Sequence, residues 1–236
     1  MPTIMDAALA TDVVYEPHPR LEGWTLKAFR PSGQTIGDAF QGALFVRGDE
    51  AIIAFKGTSQ KRDFIADAKL AVGMNTYQYS DACDFVDKNV GHLKTAYLVG
   101  HSLGGAIAQI VANRRGLRFV TFNAPGVGLA SRNLDQMAVS VATGSAAIRL
   151  KGAVVSAILH PTQAVEDFIA LGRTVNGINY RVGKDAVGIT GVHFGKVVEL
   201  PWSGNATDVL AKHSMKGVLQ TIEEQGLASV RLDTVV

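Results

Sequence analysis

Apolar positions recur along this chain with two periods, and the places where one period gives way to the other mark out its elements. Residues 3–15 carry apolar side chains at helical spacing, and 24–29 alternate as a strand does. Residues 40–47 and Glu50–Phe55 alternate on either side of Gly48 and Asp49, which predicts a β-hairpin. A helix is expected over 77–89, where Ala82, Phe85, Val86 and then Val90 fall on one face. The unbroken apolar run at 95–99 reads as a buried strand; a glycine-rich turn and a helix over Leu103–Arg115 follow. Gly116 closes that helix as a C-cap, and Arg114 and Arg115 suit its negative end. Further strands are expected at Arg118–Phe122, 179–182 and Lys196–Leu200, with a last amphipathic helix after His213.

Strands alternating with helices over short connections imply an α/β fold whose mainly parallel sheet is covered on both faces. The 236 residues show no internal repeat or linker, so residues 1–236 are expected to form a single domain. With 47% hydrophobic and 19% charged residues, the chain has ample material for a core. A net charge of +2, from 23 basic against 21 acidic side chains, argues against a nucleic-acid partner. One cysteine excludes a disulfide framework and any multi-cysteine metal site, and Cys83, between Asp81 and Asp84 with no histidine near it in sequence, reads as a packed thiol. The first 16 residues lack a basic segment and contain Asp6 and Asp12, unlike a secretory signal. The most apolar later stretch is interrupted by Arg149 and Lys151, so no transmembrane helix is expected. Localisation in the cytoplasm and export by a signal-peptide-independent route both fit.

The sharpest chemical signal is GHSLGG at 100–105, which contains the G-x-S-x-G pattern of a nucleophile elbow. Such a turn runs tightly from strand to helix and leaves Ser102 strained with its hydroxyl projecting. Gly100 and Gly104 stand where side chains would collide across it. The strand expected before the motif and the helix expected after it supply the setting that the short pattern needs. The helix start also aims backbone N–H groups at any oxyanion formed beside Ser102. His101, next to the nucleophile, is expected to point elsewhere and to pack beside the elbow.

A serine nucleophile needs a base, and the base an orienting acid, in the chain order Ser, acid, His. Three histidines follow Ser102: His160, His193 and His213. His213 lies at the end of a polar loop before the last helix, the usual place for the base; His193, flanked by glycines, is the rival. For the acid, Asp185 sits in a turn just past the strand at 179–182. Asp167 falls in a helical pattern and Asp208 reads as a cap, and both stay open as alternatives. The oxyanion donors expected are the Leu103 N–H and Thr58, which follows the strand ending at Phe55. Thr58 also fits as the cap of a helix beginning near Asp63.

In ordered segments from about residue 40 to 220, the chain resembles the class three lipases of the α/β-hydrolase superfamily. AIIAFKGTSQKRDFIADAKL is similar to their strand, oxyanion loop and helix, and AYLVGHSLGGAIAQIVA to their elbow. FVTFNAPGVG is similar to the segment after the elbow, YRVGKDAVGITGVHFG to the acid segment and KHSM to the histidine segment. The resemblance implies an α/β-hydrolase domain with Ser102, Asp185 and His213 as catalytic triad and Thr58 with Leu103 as oxyanion hole. It implies hydrolysis of carboxylic esters, of lipids foremost, by a lipase or phospholipase that needs no cofactor or metal and makes transient contact with a lipid interface. An esterase or thioesterase for small soluble substrates is the alternative, and a catalytically silent binding protein a more distant one. An exported, membrane-damaging bacterial effector is a biological role compatible with this chemistry.

Two departures stand out. About 60 residues separate Pro125 from Asp185, so an insertion is expected at about 127–176. It reads either as a packed helical hairpin or as a cap or lid over the cleft. The helix after Thr58, the usual lid site, carries Lys61, Arg62, Asp63, Asp67 and Lys69 and fits an ordinary helix as well as a lid.

Overall fold

Near-continuous apolar runs in the middle of the chain become strands buried on both faces. The computed structural model describes residues 1–33, 40–57, 76–91, 95–127, 176–191 and 193–236. Its strands are β1 (Thr25–Arg30), β2 (Gly42–Arg47), β3 (Glu50–Phe55), β4 (Thr95–His101), β5 (Arg118–Phe122), β6 (Gly177–Val182) and β7 (Lys196–Leu200). They form one sheet in the order of the chain. The β1–β2 and β2–β3 pairs are antiparallel, and every pair from β3 to β7 is parallel. The expected hairpin is present: Arg47 pairs with Glu50 across a two-residue turn in which Gly48 has φ 60°.

The helices are α1 (Ile4–Val13), α2 (Thr76–Val90), α3 (Leu103–Arg115), α4 (Val209–His213) and α5 (Met215–Glu224). Alternation along each strand sends successive side chains to opposite faces. Leu44, Ile53, Leu98 and Phe119 pack with α2 and α3. Phe45, Ile52, Val99 and Val120 pack with α1 and α5 on the other face. A capping box starts α1, with the Thr3 hydroxyl accepting from the Asp6 N–H and the Asp6 carboxylate from the Thr3 N–H. Gly116 ends α3 at φ 66°, as expected of a left-handed C-cap. The arginines before it do more than face a dipole. Arg115 donates to both carboxylate oxygens of Asp87, at 2.7 and 2.9 Å, and so ties α3 to α2, while Arg114 is buried.

Several boundaries differ from the sequence reading, among them the starts of β2 at Gly42 and of β6 at Gly177. Strand β4 runs on to His101, because Gly100 and His101 pair with Thr121 and Phe122 of β5. Helix α4 stands where a polar loop is expected. Cys83 is packed, and burial pushes its thiol up. Among the described residues no helix is long and apolar enough to cross a membrane. The expected insertion at about 127–176, with His160 and Asp167, lies outside the described residues, as do Thr58 and the helix expected after it.

A sheet with two antiparallel strands leading into a parallel run, helices on both faces and a strand-turn-helix elbow at its centre has the α/β-hydrolase fold. The carboxyl ends of β3, β4, β5 and β6 lie side by side, at the edge where parallel α/β sheets carry their ligands.

Candidate active site

Ser102 joins β4 to α3 with φ 54° and ψ −128°, a conformation that costs a non-glycine residue of order 1–3 kcal/mol. Bonds on both sides hold it there. Its N–H donates to the Phe122 carbonyl at 3.2 Å, and its own carbonyl accepts from Gly105 and Ala106 in the first turn of α3. The two elbow glycines are required by space. A Cβ on Gly104 would lie 2.1 Å from the Phe55 carbonyl oxygen, and one on Gly100 2.3 Å from the Gly104 carbonyl carbon and oxygen. That closeness presses the end of β3 against the start of α3. It brings Gly57, the residue before Thr58, beside the elbow, with the Gly57 Cβ position 3.3 Å from the Gly104 nitrogen. The Gly57 N–H donates at 2.9 Å to the Tyr15 hydroxyl, whose pKa desolvation pushes up to about 12. Leu103, the other oxyanion candidate, opens α3 with its N–H at the helix's positive end.

The acid and base candidates come together although 28 positions separate them. His213 Nδ1 lies 3.0 Å from Asp185 Oδ2 and 3.1 Å from Oδ1. Asp185 is wholly buried, in the loop that leaves β6 through Gly183 and Lys184, both at φ 55°. Its Oδ1 also accepts the N–H groups of Val187 and Gly188 at 3.0 and 2.7 Å. A carboxylate can only accept, so Nδ1 of His213 carries the hydrogen and Nε2 keeps its lone pair unless the ring is protonated.

The other candidates are placed elsewhere. His193 hydrogen-bonds through Nε2 with the Ala124 carbonyl oxygen at 2.9 Å, and burial pushes its pKa down. Asp208 caps α4, accepting the Ala211 N–H at 2.9 Å. His101 packs beside the elbow as expected, yet its ring faces the base candidate: the centroids of His101 and His213 are 4.5 Å apart. Sequence reasoning missed this contact and the buried Asn123, which touches the segments carrying both Asp185 and His213. No cluster able to hold a metal ion occurs among the described residues.

Residues 6–201 match the family model described as "Phospholipase-like: Tle-like phospholipase domain". An extracellular phospholipase A1 of Serratia liquefaciens is 34% identical over 92 residues, a match that spans 39% of this chain and 29% of that enzyme. Among solved structures, a mutant form of MDLA from Penicillium cyclopium aligns with a TM-score of 0.48 at 15% identity, over 85% of this chain and 77% of the other. A triacylglycerol lipase from Penicillium expansum aligns with a TM-score of 0.42 at 13% identity, over 85% and 78%.

Proposed function

The chain belongs to the Tle-like phospholipase domain family, and from that premise we propose that it hydrolyses carboxylic esters of lipids, phospholipids foremost, through an acyl-enzyme on Ser102. The observation that carries this reading is the strained Ser102 at the β4–α3 elbow, in a chain whose family is phospholipase-like. The pairing of Asp185, in the loop after β6, with His213, at the end of α4, supports it.

In this mechanism Ser102 Oγ attacks the ester carbonyl while His213 Nε2 takes its proton and later gives it to the leaving alcohol. Asp185 accepts from Nδ1–H, fixes the tautomer and stabilises the imidazolium. The N–H of Leu103 and the N–H and hydroxyl of Thr58 receive the negative charge that develops on the carbonyl oxygen. Water then attacks the acyl-enzyme, His213 takes its proton and returns it to Ser102 Oγ as the acyl–oxygen bond breaks, and the fatty acid leaves. Every role is filled by a side chain or backbone group, and no cofactor enters. We also take residues 1–236 as one catalytic domain. Transient contact with a lipid interface is supported by Leu210, beside the base in sequence, and Ile189, in the acid loop, which are 58% and 54% exposed.

The test is a head-group and chain-length panel with wild type and Ser102→Ala, together with a fluorophosphonate probe. Wild type should label at Ser102, and the variant should lose at least about 10³-fold in turnover. Hydrolysis retained by Ser102→Ala would overturn the mechanism. Activity that climbs above the solubility limit of the substrate fits a lipid-surface enzyme, whereas saturation on monomeric short esters would favour the soluble esterase.

A further inference from the structure

His213 ends a helix of five residues, too short to hold itself in place by its own hydrogen bonds. Two side chains from the ends of β4 and β5 grip its last two carbonyls, those of Lys212 and His213. Asn123 Nδ2–H donates to the Lys212 carbonyl at 2.8 Å. His101 Nε2 lies 2.5 Å from the His213 carbonyl oxygen. A carbonyl only accepts, so Nε2 of His101 carries the hydrogen.

We propose that Asn123 and His101 are positioning residues, a two-point clamp on the base that sets its spacing from the acid and from the nucleophile. The proposal rests on the Ser102–His213–Asp185 reading and deepens it. The bond between His213 and Asp185 fixes one ring nitrogen relative to the acid loop, not relative to Ser102. The clamp supplies that second constraint. Asn123 Oδ1 accepts the Val182 N–H at 2.8 Å, three residues before Asp185, while its Nδ2 holds Lys212, one residue before His213. One side-chain amide therefore spans the acid strand and the base helix. His101 precedes Ser102 in the chain, so its bond spans nucleophile and base.

The residue types fit this work closely. Asn123 must donate and accept at once, which a carboxylate does not do. It is wholly buried and sits at φ 46°, where asparagine is better tolerated than most residues. Its own N–H donates to the Tyr180 carbonyl at 2.9 Å, fastening the backbone from which the side chain reaches. His101 must be uncharged, because a cation 4.5 Å from the ring of His213 would oppose the imidazolium formed during acyl transfer. Burial, and after it the neighbouring His213, pushes its pKa down to about 3.

The experiment compares wild type with Asn123→Asp, Asn123→Ser, His101→Ala and His101→Gln in the full chain. Asn123→Asp keeps the acceptor and loses the donor; Asn123→Ser shortens the reach without adding charge and guards against misfolding of the first. His101→Gln keeps an N–H close to the position of Nε2. Fluorophosphonate titration counts active sites, and kcat, KM, the rate of Ser102 labelling and Tm are then measured for each. A misplacement of about 1 Å can cost 10²-fold, so kcat per titrated site and labelling rate should fall about 10- to 100-fold in both Asn123 variants and in His101→Ala. KM should change little, and His101→Gln should recover most of the loss. Variants with lower Tm but full turnover per titrated site would overturn the clamp and leave the triad standing. A His101→Gln variant no better than His101→Ala would overturn the part assigned to His101. Wild type unreactive at Ser102 would overturn the triad reading, and the clamp with it.

Discussion

His101 lies between the elbow and the base, and its burial makes it a measurable burden in acid. Its pKa lies near 3 in the folded chain against about 6.5 when unfolded. Above pH 6.5 both states are neutral at this ring and it adds no pH dependence. As pH falls from 6.5 toward 3, the unfolded chain binds a proton that the folded chain refuses, so stability drops through that window. At pH 5 the loss amounts to about 2 kcal/mol. Urea titrations at pH 7.5 and 5 should therefore show His101→Gln losing about 2 kcal/mol less than wild type over that interval. The sequence reading places His101 beside the elbow but not against His213. That contact joins residues 112 positions apart, and no local period encodes it. Ser102 and its glycines were legible for the opposite reason, since the turn's demands fall on neighbouring positions.

Helix α4 shows how an element can escape a pattern and still govern the site. Its five residues span little more than one turn, too few to display a 3.6-residue period, so a polar loop is what the sequence suggests. Its ends, in contrast, carry readable signals. Asp208 caps the start, and Ser214 closes the end while capping α5 through a bond from the Gly217 N–H at 3.1 Å. Losing the first cap should cost about 1 kcal/mol. Asp208→Ala should therefore lower the midpoint of denaturant unfolding slightly and reduce kcat while KM holds, as seen by chemical denaturation beside steady-state kinetics. Strands β3 to β5 were legible almost to the residue, because strands buried on both faces must be continuously apolar and glycine or polar residues bound them. The boundary of β4 moved because pairing with β5 extends it, a condition set by another part of the chain.

Across the whole molecule the sheet divides the core into two layers, and the face bearing α1 and α5 is closed by a seam between the two ends of the chain. The Ile4 N–H donates to the Val230 carbonyl at 2.9 Å, the Leu232 N–H to the Pro2 carbonyl at 2.8 Å, and Thr3 bridges Arg231. Leu232 is wholly buried within that layer. Leu232→Ala should cost about 2–4 kcal/mol in unfolding free energy and leave turnover per titrated site unchanged, because the seam contributes no group to the elbow, acid or base. The alternation of strands with helices foretold both layers, but nothing in either terminal segment alone announced its partner. The seam also means that the order in which the chain is threaded is separable from the shape it takes. A short linker of roughly six to eight residues from Val236 back to Met1 would let the backbone be reopened at the exposed Gly48–Asp49 turn, at the opposite end of β3 from the elbow. Such a circular permutant should still hydrolyse ester at close to the wild-type kcat/KM, with its first residue now drawn from the middle of the natural reading order.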